Sequence, residues 1–141
     1  MFSKTCEYGI RALSIIAKHS NDGKKINIKE LCKESNTPES FTAKILQILV
    51  KRRIIKSQKG RQGGFYIDRN MDDISLKEVI IAFDGDELFV GCGLGLEKCD
   101  SKNPCPLHFE FEKIRNSIIE MSKRESIASL AEKLSESVYN R

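Results

Sequence analysis

Three cysteines and a histidine fall within one stretch of this chain, GCGLGLEKCDSKNPCPLH, residues 91–108. Six residues separate Cys92 from Cys99, five separate Cys99 from Cys105, and His108 follows three positions after Cys105. Thiolates are soft ligands that suit iron–sulfur clusters and zinc, and imidazole serves the same metals. Structural zinc loops usually carry cysteine pairs two to four residues apart, and no such pair occurs here. An iron–sulfur site is therefore the first reading, with a zinc site of three cysteines and a histidine, or a metal-free thiol–disulfide sensor, as rival uses of the same donors. Gly91, Gly93 and Gly95, with Pro104 and Pro106 around Cys105, erase any helical or strand period, so the donors sit in a loop.

The elements around that loop must position it. The chain has 141 residues and five cysteines, and no apolar run approaches the roughly 18 residues of a spanning helix. Its first residues, MFSKTCEYGIRAL, interrupt every apolar turn with charge, unlike a secretory signal. The expectation is a cytoplasmic protein with no membrane partner, in a reducing compartment where thiols bind metal or sense redox state. The net charge of +4 hides an asymmetry: residues 1–70 carry 15 Lys or Arg against six Asp or Glu, whereas residues 71–141 carry nine against 14. The first half is suited to a polyanion.

Cys6, Ile10, Leu13 and Ala17 recur on one face and predict a helix over residues 3–19. Asn27, with Glu30 three positions on, starts a short second helix. Thr37-Pro38-Glu39 reads as cap, proline and early acid of a third helix, with Phe41, Ile45, Ile48 and Leu49 inward. Its outer face then shows Ser40, Thr42, Lys44, Gln47 and Lys51. Two short helices joined by a tight turn, the second basic outside, form a helix-turn-helix pattern. A β-hairpin follows: Ile54 to Gln58, the turn Lys59-Gly60-Arg61-Gln62-Gly63-Gly64, and Phe65 to Ile67. Lys59, Arg61, Gln62 and Gly63 form a basic tip, and a guanidinium there suits a narrow minor groove. Ser75 caps a further helix. Leu107, Phe111, Ile114, Ile118 and Met121 are spaced 4, 3, 4, 3, a two-heptad seam suited to a partner helix. A last helix starts near Ser126, and residues 137–141 are expected to fray.

The fold class is thus mainly α with a small β wing: a winged helix-turn-helix DNA-binding region over 1–83, a cysteine-rich loop over 84–106, and a dimerisation helix with a C-terminal helix over 107–141. A winged module that binds something other than DNA is the rival. An enzyme is not expected, since neither histidine has a nearby acid or nucleophile partner in sequence, and no phosphate loop or paired-carboxylate motif is present.

The stretch TPESFTAKILQIL, the wing KGRQGGF and the triple-cysteine loop, in that order before a long seamed helix, resemble the IscR/NsrR/CymR-type family of dimeric winged-helix transcription regulators, in its cluster-bearing branch. The resemblance spans nearly the whole chain. It implies a homodimer on a palindromic operator of double-stranded DNA, a repressor whose binding responds to nitric oxide, redox or iron–sulfur status. It also implies an iron–sulfur cluster, which an aerobic preparation can lose, on Cys92, Cys99 and Cys105. In IscR-like members a histidine at the position of His108 completes a 2Fe–2S site. In NsrR-like members an acid of the first helix completes a 4Fe–4S site, and Glu7 of the partner subunit matches, with glutamate where aspartate is typical. The gap between Cys92 and Cys99 is one residue longer than usual for the family, so cluster type and fourth ligand stay open.

Overall fold

The structure of the protein, a computed structural model, describes residues 1–134; the expected fraying at 137–141 lies outside them. The element order is α1 (Lys4–Asn21), α2 (Ile28–Ser35), α3 (Glu39–Lys51), β1 (Lys56–Gln58), β2 (Gly64–Tyr66), a 3-10 turn (Met71–Asp73), α4 (Leu76–Asp84), α5 (Glu87–Val90), α6 (His108–Arg124) and α7 (Ile127–Lys133). The result is mainly α with a two-stranded antiparallel wing, in which Lys56 pairs with Tyr66 and Gln58 with Gly64.

α1 is the central post. Almost one whole side and its flanks are buried, from Cys6 and Gly9 through Ala12–Ala17. Such a helix is covered by neighbours all around rather than on one stripe. The main core joins Leu13 and Ile16 of α1 to Leu31, Ile45, Leu46, Leu49, Ile54 and Ile74, and to Ile127 and Ala131 of α7. A second cluster gathers Cys6, Leu76, Ile80 and Phe89 against Ile118, Ile119 and Met121 of α6. α7 folds back beside the start of α4. Leu76 N–H donates to Glu125 O at 2.8 Å, and Ile127 N–H to Ile74 O at 2.9 Å. The C-terminal helix is therefore part of the core that surrounds α1.

Local chemistry explains the boundaries. Asn27, Ser75 and Ser126 each accept a backbone N–H from the residue three positions on, satisfying a donor the first helical turn leaves open. The start of α3 departs from expectation. Pro38 occupies the cap and makes no side-chain cap bond, while Thr37 bonds the Ser35 and Thr42 hydroxyls at 2.6 and 2.8 Å. Asn36 closes α2 in the left-handed region at φ 53°, a conformation asparagine tolerates better than most residues. The wing is fixed at its base by a third short pairing, where Phe65 N–H donates to Ile26 O at 2.8 Å. Gly64, at φ +144°, passes so close to Ile26 that a Cβ would lie 2.7 Å from its carbonyl oxygen. No other residue type fits that crossing.

Candidate functional site

α3 is the presenting helix of the first site. Ile45, Leu46 and Leu49 hold it against the core, which turns Ser40, Lys44, Gln47 and Lys51 out to solvent. Thr42 does not join them: it is 1% exposed. Its hydroxyl donates to Pro38 O at 2.9 Å and meets Thr37 Oγ1, which meets Ser35 Oγ, which donates to Leu31 O at 2.7 Å. The outer-face placement of Thr42 is thus corrected. This threonine belongs to a hydroxyl chain that ties the end of α2 to the first turn of α3 and sets the angle of the helix-turn-helix. At the wing tip Lys59, Arg61 and Gln62 are exposed and Gly63 is half-buried. At the wing's base Lys56 pairs with Asp68 at 2.6 Å, and the carboxylate holds the ammonium above its ordinary pKa. Arg69 pairs similarly with Glu78. The basic side chains at the tip are held away from these acids and stay available to a polyanion.

The cysteine loop joins α5 to α6. Its four candidate donors stand as two pairs. The Cys92 thiol donates toward the Cys105 sulfur at 4.0 Å, and Cys99 Sγ lies 3.3 Å from His108 Nδ1. All five cysteines are free thiols, and among the described residues no three donors converge on a single metal position. The backbone N–H groups of Leu94 and Leu96, and then the Cys105 thiol, hold the Cys92 thiol below its ordinary pKa. Gly93 lets the loop lie flat on Phe111; a Cβ there would run into the ring.

α6 begins at His108. Cys105 therefore precedes the helix, its carbonyl accepting from His108 N–H at 3.0 Å. The side chain of His108 is thereby set beside Cys99. His108 is 4% exposed, its ring edge-on to Phe109 at 5.0 Å, and its Nε2 is buried with no hydrogen-bond partner. An unpartnered buried ring nitrogen costs about 1–3 kcal/mol, a cost that a bound metal at this atom would remove. Three thiols, an imidazole with a spare buried nitrogen, and donors arranged in twos fit an iron–sulfur cluster chemically.

Glu7, the other candidate ligand, sits on α1 and pairs with Lys4 at 3.0 Å. Its neighbour Cys6 is fully buried, and burial, reinforced by the Asp84 carboxylate, pushes that thiol up to about 12. Cys6 is thus an inert core residue. One participant escaped the sequence reading. Arg115 donates through Nη1 to Gly91 O at 2.7 Å, and its Nη1 and Nη2 are each 3.5 Å from Cys99 Sγ. The only available signal was its spacing, seven residues after His108 and so on the same helical face.

The sequence model of the Rrf2 family, described as an iron-dependent transcriptional regulator, matches residues 2–133. The chain belongs to the Rrf2 family. It is a transcriptional regulator that binds DNA, and not an enzyme. A relative from Aquifex aeolicus (strain VF5), assigned as a helix-turn-helix-type transcriptional regulator, is 30% identical over 132 residues, covering 92% of this chain and 90% of its own. The regulator IscR of Sodalis glossinidius (strain morsitans) is 25% identical over 87% of this chain and 73% of its own. Among solved structures, CymR, the global cysteine regulator of B. subtilis, superposes with a TM-score of 0.76 at 19% identity, over 96% of this chain and 98% of its own. IscR of T. potens superposes with a TM-score of 0.75 at 21% identity, over 97% and 90%. These two likenesses establish the winged-helix fold. No described helix is long and apolar enough to cross a membrane.

Proposed function

We propose that this Rrf2-family regulator is a cytoplasmic homodimer that binds a palindromic operator as a repressor, and that an iron–sulfur cluster in the loop between α5 and α6 controls that binding. The observation that carries the proposal is the pairing of donors, Cys92 with Cys105 and Cys99 with His108. A 2Fe–2S unit asks for two protein donors on each of two irons, whereas zinc asks for four donors around one point. The pairing therefore favours Cys92, Cys99, Cys105 and His108 as the holding residues over a set completed by Glu7 of the partner subunit. When bound, the cluster supplies a centre reactive to nitric oxide and to redox change.

The chain's own residues connect that centre to DNA. The loop runs through Leu107 directly into α6, and Leu107, Phe111 and Ile114 stay partly exposed there, the face that a second copy covers in the dimer. The loop's order sets the seating of α6, and hence the separation of the two α3 helices. They must stand about 34 Å apart to enter successive major grooves. Ser40, Lys44, Gln47 and Lys51 face the major groove, and Lys59, Arg61, Gln62 and Gly63 reach the adjacent minor groove.

The 4.0 Å approach of the Cys92 and Cys105 sulfurs also suits a cluster-free thiol sensor. Anaerobic purification separates the readings. The cluster reading expects a coloured protein with two irons and two sulfides per chain, lost in Cys92→Ala, Cys99→Ala and Cys105→Ala and spectrally shifted in His108→Ala. A colourless protein after anaerobic reconstitution, or one holding one zinc per chain, would overturn it. An unchanged spectrum in His108→Ala with a shifted one in Glu7→Ala would move the fourth ligand to the partner subunit.

A further inference from the structure

Arg115 lies on α6 seven residues beyond His108, two turns along the same face. Its guanidinium donates to the Gly91 carbonyl at 2.7 Å, at the start of the loop. Both Nη1 and Nη2 also approach the Cys99 sulfur at 3.5 Å. Among the described residues no carboxylate pairs with it, so the sulfur is the acceptor that faces its charge. A neutral thiol is a weak acceptor, whereas a guanidinium beside an anionic sulfur forms a charge-assisted bond. The guanidinium thus bridges the start of the loop and the Cys99 sulfur, and the contact strengthens when that sulfur serves as a metal ligand.

We propose that Arg115 is the positioning residue of the loop site, its guanidinium clamping Gly91 at the start of the loop to the Cys99 sulfur. Toward a cluster, which rests on the reading above, the same charge stabilises the reduced, more negative state, because hydrogen bonds and charge at ligand sulfurs set the potential. Arg115 also links Cys99 to the α6 seam that carries Ile114, so the state of one sulfur is felt at the dimer face.

The test uses full-length Arg115→Lys, Arg115→Gln and Arg115→Met with two readouts. The first needs no cluster: the rate at which iodoacetamide alkylates each loop cysteine in metal-free protein at neutral pH, resolved by peptide mass. Cys99 should react at least fivefold faster in Arg115→Met and Arg115→Gln, where loss of the clamp uncovers its sulfur, and stay within twofold of wild type in Arg115→Lys, with Cys92 and Cys105 unchanged. The second is the midpoint potential of the reconstituted protein. It should fall by a tenfold change in the one-electron equilibrium, 59 mV, in Arg115→Met and be retained in Arg115→Lys. Unchanged Cys99 alkylation in folded Arg115→Gln overturns the proposal, and so does an equal change at all three cysteines, which would mark a structural role alone. If the wild type takes up no cluster on reconstitution, the cluster reading fails, and the alkylation rates still decide the role of Arg115.

Discussion

Replacing Ile114 by glutamate should separate the proposed dimer while leaving each subunit folded. Within one subunit Ile114 is 54% exposed, and it belongs to neither core cluster. The substitution therefore costs the isolated fold little. Full burial of an isoleucine side chain stabilises by about 1.5–3 kcal/mol, so the half still exposed here is worth about 1 kcal/mol when a partner covers it. In a two-fold dimer each substitution acts twice, giving about 2 kcal/mol of lost apolar burial. Two unpaired carboxylates in the interface add several kcal/mol more. At about 1.4 kcal/mol per tenfold, the apolar loss alone weakens association some thirtyfold, and the carboxylates carry it past a thousandfold. Sedimentation equilibrium over a concentration series reads the constant directly, with circular dichroism to confirm the fold. A dimer constant within threefold of wild type would refute α6 as the seam. Ile118→Glu is a poorer probe, since Ile118 also packs on the cluster of Cys6, Ile80 and Phe89 and its replacement should lower the melting temperature of the subunit itself.

Four further outcomes follow from the geometry. Lys44→Ala and Arg61→Ala should each reduce the slope of log affinity against log salt by about one, measured by fluorescence anisotropy on an operator. Thr42→Val should leave that slope unchanged and instead destabilise the protein by about 1 kcal/mol through its lost hydroxyl bonds; the reverse pattern would restore Thr42 to the DNA face. Cys6 is neutral in the fold up to about pH 12, against 9.0 for an unperturbed thiol. The unfolded chain therefore releases this proton first, and the stability tied to it is complete below pH 9 and lost as pH rises towards 12. Denaturant titrations should show Cys6→Ala losing less stability than wild type over that window, by up to about 1.4 kcal/mol per pH unit, and parallel curves would contradict the assignment. Arg53 adopts φ 59°, a region that costs a residue with a side chain about 1 kcal/mol. Arg53→Gly should therefore raise the melting temperature by a few degrees, and a lower one would show that its side chain does more for stability than its backbone takes away.

Much of the fold was legible because it is written in local chemistry. Asn27, Ser75 and Ser126 announce their helices by side-chain oxygens placed three residues before a free N–H. The wing follows from β-branched residues around a turn rich in glycine. Thr42 was misplaced because its type was weighed over its position. It lies three, four and seven residues from Ile45, Leu46 and Leu49, on the inward face, and a buried threonine is tolerated when its hydroxyl has partners. The donor pairs were not legible, since a loop without a period places its thiols by tertiary contacts such as Gly93 on Phe111 and Arg115 on Gly91. The uncovered half of α6 was half-legible. The heptad seam was plain, but nothing in its spacing says that Ile118 and Met121 pack within the subunit while Phe111 and Ile114 stay exposed.

The most direct measurement is the affinity of anaerobically reconstituted protein for one operator, before and after the cluster is discharged with nitric oxide, at a single fixed salt concentration. The account predicts a change of at least tenfold that Cys99→Ala abolishes. Equal affinities for the loaded and discharged protein would contradict the claim that the loop between α5 and α6 governs DNA binding.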